Sequence, residues 1–244
     1  AYSASALSFM LKNLNKPVIF TGSQIPIGEI RTDGKENLIT AVEIAGSKYN
    51  GKAIVPEVAI YFHNHLLRGN RTTKFSSEHL NAFKSINYPP LAEVGIGINY
   101  NMPYIRKTED YSSPLRIATD VCSEIVVIEI YPGMSTAVLH SILNIEGIKG
   151  AIIKSYGSGN APSNDAFLGE LKAAIDRGLV ILNVTQCKAG SVNMSLYATG
   201  VIPGFDMTTE AAVCKLMYLL DKNYSKEDMM MYLTNSMRGE LTKA

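Results

Sequence analysis

The chain has 244 residues, 46% of them hydrophobic and 18% charged, with a formal net charge of +1. That supplies apolar material for one large or two modest packed domains and argues against disorder. Balanced charge argues against a nucleic-acid or membrane-surface footprint, and apolar runs such as 125–130 are strand-length, not membrane-spanning.

Leu7, Met10, Leu11 and Leu14 follow helical spacing, which predicts a helix ending near Asn15. The chain opens on Ala1 without an initiating Met, inside or at the start of that helix, so a preceding segment is expected. Residues 17–20 read as a buried strand running into Thr21-Gly22-Ser23-Gln24. Residues 33–37 introduce a helix with Leu38, Ala41, Val42 and Ala45 on one face. Residues 58–62 form a second strand, followed by a polar loop over 68–74. Apolar strands alternating with helices predict a parallel sheet covered on both faces.

From 99 to 120 the pattern gives way to Asn, Pro, Ser, Tyr and charges, which reads as a linker. It separates a first domain over 1–98 from a second over 121–244. The second begins with a strand over 124–131, a helix over 134–143 and a strand over 150–155. A helix over 164–177 and a strand over 179–184 follow. The last of the series is a helix over 208–220, capped by Asp206 or Thr208 and carrying Glu210 in its first turn. The fold class is α/β.

Cys122, Cys187 and Cys214 are widely separated and form no CxxC pair, so free thiols are expected and not a zinc knuckle or disulfide framework. His63-Asn64-His65 places two imidazoles on one strand face, but no further cluster offers the same spacing, and no metal is expected. Met229, Met230 and Met231 read as core filler on a helix. No GxSxG elbow is present.

Two loops could carry chemistry. In Gly69-Asn70-Arg71-Thr72-Thr73-Lys74, a lysine at the carboxyl end of a sheet could, if partly desolvated, serve as proton-transfer partner to a hydroxyl nucleophile. A solvated basic turn accounts for the same residues. Tyr156-Gly157-Ser158-Gly159-Asn160-Ala161-Pro162 lies between a strand and a helix, where two glycines let the backbone approach an anionic ligand. It lacks the third glycine of a dinucleotide fingerprint and any phosphate-loop lysine, and a plain turn is the alternative.

A co-linear series of segments resembles the bacterial asparaginase family, type I branch. It comprises Thr-Gly-Ser-Gln at 21–24, Arg-Thr-Asp-Gly at 31–34 and Arg-Gly-Asn-Arg-Thr-Thr-Lys at 68–74. It continues with Tyr-Gly-Ser-Gly-Asn-Ala-Pro at 156–162, Asn-Val-Thr-Gln-Cys at 183–187 and Tyr-Ala-Thr-Gly at 197–200. Asp-Met-Thr-Thr-Glu-Ala at 206–211 and Asn-Ser-Met-Arg-Gly-Glu-Leu-Thr at 235–242 complete it.

The resemblance implies a parallel-sheet N-terminal domain, here truncated, and a smaller α/β C-terminal domain. It implies hydrolysis of L-asparagine to L-aspartate and ammonia by a threonine nucleophile, without metal or cofactor. A cytoplasmic homodimer or homotetramer with no nucleic-acid or membrane partner is expected. Lys74 matches the lysine that would poise a second threonine hydroxyl, and Ser23 matches the position whose backbone carbonyl contacts the substrate amide. The nucleophile's Thr-Gly-Gly-Thr segment and the partner Gly-Thr-Asp-Thr segment are absent from the 244 residues, so the chain alone is expected to be inactive. By the same resemblance an effector asparagine site would use Thr73, Lys154, Asn160, Thr185 and Cys187. Position 154 is commonly arginine in such members. Alternative readings are an asparaginase-like subunit of a tRNA-dependent amidotransferase, and an inactive fragment that binds asparagine at the effector site.

Overall fold

The computed structural model describes residues 1–108 and 110–242. Residue 109, in the expected linker, and residues 243 and 244, at the end of the expected second domain, lie outside the described residues. The chain divides into two compact units, Ala1–Thr119 and Asp120–Ala244.

In the first unit α1 (Tyr2–Met10), β1 (Leu11–Lys12), β2 (Val18–Phe20) and α2 (Gly34–Gly46) precede a small hairpin of β3 (Lys48–Tyr49) and β4 (Lys52–Ala53). Then come β5 (Val58–Phe62), β6 (His65–Arg68), a 3-10 turn over Gly69–Arg71, β7 (Thr73–Lys74) and β8 (Phe83–Lys84). The unit closes with β9 (Ala92–Val94), β10 (Ile98–Tyr100) and β11 (Arg116–Ile117). Its main sheet has the order β10-β9-β6-β5-β2. The parallel pairing expected for this domain is confined to β2 with β5; the other pairs are antiparallel. The reason is local. His63 and Asn64, at φ 45° and 66°, close a two-residue hairpin between β5 and β6.

Alternate residues of β5 face opposite cores, as strand geometry requires. Ala59 and Tyr61 join Ala41 and Ile44 of α2, while Val58, Ile60 and Phe62 join Ala4 of α1 and Leu11. The face of α2 differs from expectation: Asn37, Ala41 and Ile44 are buried, while Leu38 and Val42 are 52% and 64% exposed. The helix turns that way because Asn37 has interior hydrogen-bond partners. α1 stops at Met10, short of the expected Asn15, because Leu11–Lys12 pairs with Arg116–Ile117. That pairing also draws residues 99–119, read from sequence as linker, into the first unit, where Ile105 is buried in the core.

The second unit is a regular α/β layer. β12 (Ile125–Glu129), α3 (Thr136–Leu143), β13 (Gly150–Ser155), α4 (Asp165–Asp176), β14 (Val180–Thr185), β15 (Ile202–Pro203), α5 (Thr209–Leu220) and α6 (Lys226–Thr234) follow in order. The four strands are all parallel, in the order β12-β13-β14-β15. Ser135, Asn164, Thr208 and Ser225 cap the four helices, each side chain accepting a backbone N–H of the first turn. Of the two cap candidates for α5, Thr208 caps it, and the Asp206 carboxylate instead accepts the backbone N–H and hydroxyl of Thr242 at 2.8 and 2.6 Å. Of the three consecutive methionines only Met229 is buried, and Met231 is exposed. A buried pair, Lys215 with Glu240 at 2.6 Å, ties α5 to the C-terminal segment.

Candidate active site

β2 ends at Phe20 and delivers Thr21-Gly22-Ser23-Gln24 to one end of the first unit's sheet. Nothing repetitive holds this loop, so its shape depends on side chains. The Asp33 carboxylate accepts the backbone N–H of Gln24 at 3.0 and 3.1 Å and that of Ile25 at 3.0 Å. The Asn37 amide donates to Asp33 Oδ2 at 3.1 Å and to the Gly22 carbonyl at 2.9 Å, and its oxygen accepts the His63 N–H at 3.2 Å. The Thr21 hydroxyl donates to the Tyr61 carbonyl at 2.9 Å. Burial pushes the Asp33 carboxyl up, but the N–H groups of Ile25 and Gln24 and the Asn37 amide outweigh it and hold the group below the usual carboxylate range.

Lys74 reaches the same place from the other side. The Gly69–Arg71 turn is buried, and so are Thr72 and Thr73, which contradicts a solvated loop before Lys74. The Thr72 hydroxyl donates to the Arg68 carbonyl at 2.6 Å. Arg68 makes a bidentate bond to buried Glu57 at 2.6 and 3.2 Å, so this segment rises from a rigid floor. β7 then pairs with β8, and the Lys74 ammonium lies 5.9 Å from the centre of the Phe83 ring. From the Ser23 side, the Gln24 side-chain amide donates to the carbonyls of Ser77 and His79 at 3.0 and 3.1 Å, strapping down the loop between β7 and β8.

A cavity of about 230 Å³ results, lined by Ser23, Gln24, Lys74, Phe62, Phe83 and Ser3 among others. Ser23 and Lys74, matched separately from sequence, line one hollow. Lys74 itself is exposed at the rim of this hollow. Sequence reading missed Asp33 and Asn37 as the residues that shape the loop. Their i, i+4 spacing at a helix start was the available signal.

The residues matched to an effector site are divided between the units. Thr73 is buried on β7 in the first, and Lys154, Asn160, Thr185 and Cys187 belong to the second. Within the second unit, Thr185, Cys187 and the glycine turn come together at the carboxyl ends of β13 and β14. The Thr185 hydroxyl donates to the Gly157 carbonyl at 2.6 Å and accepts the Cys187 N–H at 3.0 Å. Asn160 and Tyr156 exchange backbone hydrogen bonds at 2.9 Å. The Lys154 ammonium is engaged by Glu129 on the adjacent strand. Gln186, not singled out from sequence, donates to the Ile130 and Lys154 carbonyls at 2.6 and 2.9 Å and locks the strand ends.

His63 stands in the hairpin turn and not on a strand, so the two imidazoles share no strand face; His65 Nδ1 lies 2.9 Å from the His63 carbonyl. Among the described residues no group of three His, Cys, Asp or Glu side chains could hold a metal ion. No helix among them is long and apolar enough to cross a membrane.

Family models described as "Asparaginase, N-terminal" and "Glutaminase/Asparaginase C-terminal domain" match residues 1–106 and 124–233. The chain is 47% identical over 250 aligned residues to "L-asparaginase 1" of Escherichia coli, covering 99% of this chain and 71% of that protein. The crystal structure of L-asparaginase I from Vibrio cholerae matches with a TM-score of 0.90 at 43% identity, covering 99% of this chain and 72% of that one. A more distant match, 30% identical, is a glutamyl-tRNA(Gln) amidotransferase component of Pyrococcus abyssi, of which 56% is covered along with 99% of this chain.

Proposed function

Because this chain belongs to the asparaginase family, we propose that the protein is an L-asparaginase, converting L-asparagine and water to L-aspartate and ammonia. One observation carries the site assignment: Ser23 and Lys74, far apart in sequence, line one cavity. The amidotransferase reading has less support, since two relatives of that kind are 30% and 33% identical against 47% for the asparaginase.

The proposed chemistry is acyl transfer. A threonine hydroxyl attacks the side-chain amide carbon of asparagine and loses its proton. The tetrahedral oxyanion collapses, the carbon–nitrogen bond breaks and the amine leaves as ammonia after gaining a proton. Water then cleaves the aspartyl ester and frees the threonine. In this scheme Lys74 orients a threonine hydroxyl and supplies or holds its proton, and the Ser23 carbonyl accepts a hydrogen bond from the substrate amide. The 244 residues include neither Thr-Gly-Gly-Thr nor Gly-Thr-Asp-Thr, so by themselves they are proposed not to turn asparagine over.

An effector role for Thr73, Lys154, Asn160, Thr185 and Cys187 extends the same family reading. Support is uneven: the Thr185 hydroxyl already fixes the glycine turn, and Lys154 is already paired with Glu129. A lysine so engaged offers a ligand carboxylate a point charge and no bidentate clamp. A homodimeric or homotetrameric, cytoplasmic enzyme belongs to this proposal too.

The test is ammonia release from asparagine by the longest reading frame that contains these residues. Release is expected, with no added metal. Absence of turnover in a folded preparation would refute the proposal.

A further inference from the structure

A second, larger cavity of about 640 Å³ lies wholly within the second unit, at the end of its parallel sheet away from the Tyr156–Asn160 turn. It is bounded by the segments entering β13 and β14, the C-terminal ends of α3 and α4, and the start of α6. Its volume falls in the range of about 300–1,000 Å³ typical of small-molecule sites. The proposed asparagine chemistry does not use it.

Part of its wall is apolar, formed by Leu143, Ile175, Leu179, Ile181, Leu220 and Met229, with Asn144, Asn223 and Tyr224 beside it. Its charged lining residues are all cationic, namely Lys149, Arg177 and Lys226, each exposed, and no Asp or Glu lines it. The cations are not equivalent. The Arg177 guanidinium donates to the Leu143 carbonyl at 3.4 Å, where it offsets the partial negative charge at the end of α3. Lys149 feels the Glu124 carboxylate, yet neither it nor Lys226 forms a salt bridge among the described residues.

A small polar anion would leave the apolar wall in water, and a neutral hydrocarbon would make no use of the two cations at its rim. A ligand with both parts satisfies both. We propose that this cavity binds a medium-chain fatty-acyl carboxylate, its chain along the Leu143–Leu179–Met229 wall and its head group at Lys149 and Lys226.

Calorimetric titration of the 244-residue protein with decanoate tests this, with decanol as the uncharged counterpart. One decanoate per chain is expected, with decanol binding more weakly. The Lys149→Gln/Lys226→Gln double variant should weaken decanoate about three- to tenfold and leave decanol unchanged, as two exposed charge pairs warrant. Ile145→Glu places a carboxylate at an exposed lining position, tolerable to the fold, and should abolish decanoate binding. Lack of decanoate heat at about millimolar ligand, equal affinity for decanol, or undiminished binding by either variant would overturn the proposal.

Discussion

The Asp33 carboxylate grips the backbone N–H of Gln24 with both oxygens, at 3.0 and 3.1 Å, immediately after Ser23 in the loop. Replacing Asp33 with Ala leaves the Gln24 and Ile25 N–H groups without their acceptor. A stability loss of about 1–3 kcal/mol is expected, together with a raised KM for asparagine as the Ser23 carbonyl drifts. Urea unfolding and steady-state kinetics on the same variant check both. A variant with parental stability and KM would show that the loop holds itself.

The same carboxylate gives a pH signature. Its folded-state pKa is depressed, so its contribution is fully present above the unfolded carboxylate value of about 3.9 and is lost as pH falls through the folded value. Stability curves of the parent and Asp33→Asn should therefore converge in acid and separate toward neutral pH. Parallel curves would contradict the assignment.

Lys215 and Glu240 meet at 2.6 Å, both fully buried. Lys215 also donates to the Leu233 and Asn235 carbonyls, and Glu240 accepts the N–H groups of Met237 and Arg238. Removing one charge strands the other. Lys215→Met should cost about 3–5 kcal/mol, and adding Glu240→Gln should recover part of the loss. Thermal unfolding of the single and double variants measures it.

Gly69 lets the Lys74 segment lie tightly against strand β5 and helix α1. A Cβ there would meet the Val58 carbonyl at 3.0 Å and the Ala4 methyl at 3.1 Å. Gly69→Ala should destabilise by about 1–3 kcal/mol and lower turnover, because the shift is passed along the buried turn to Lys74. Parental melting and kinetics would show that the segment has slack.

The second unit was largely legible in the sequence, because its elements carry strong local signals. Ser135, Asn164 and Thr208 cap helices, and continuous apolar runs mark strands buried in a parallel sheet. The first unit was less so. Its antiparallel turn rests on His63 and Asn64 at positive φ, a backbone conformation uncommon for any residue but glycine and marked here by neither Gly nor Pro. Asp33 looked like an ordinary helix start, yet its carboxylate makes no cap bond and reaches back to another loop. The burial of Arg71 and its neighbours depends on long-range packing that local polarity hides. Lys74 gave a weak loop signal that a solvated turn explained equally well, and Ser23 was found by resemblance; spacing alone would not have joined them.

The most direct measurement is kcat for asparagine with Lys74→Met in the longest reading frame containing these residues, alongside its melting temperature. Lys74 is exposed, so folding should be unaffected. The account predicts an unchanged melt and a kcat lower by about 10²- to 10⁴-fold. Parental kcat in the variant would remove Lys74 from the chemistry and leave the cavity beside Ser23 without a catalytic role.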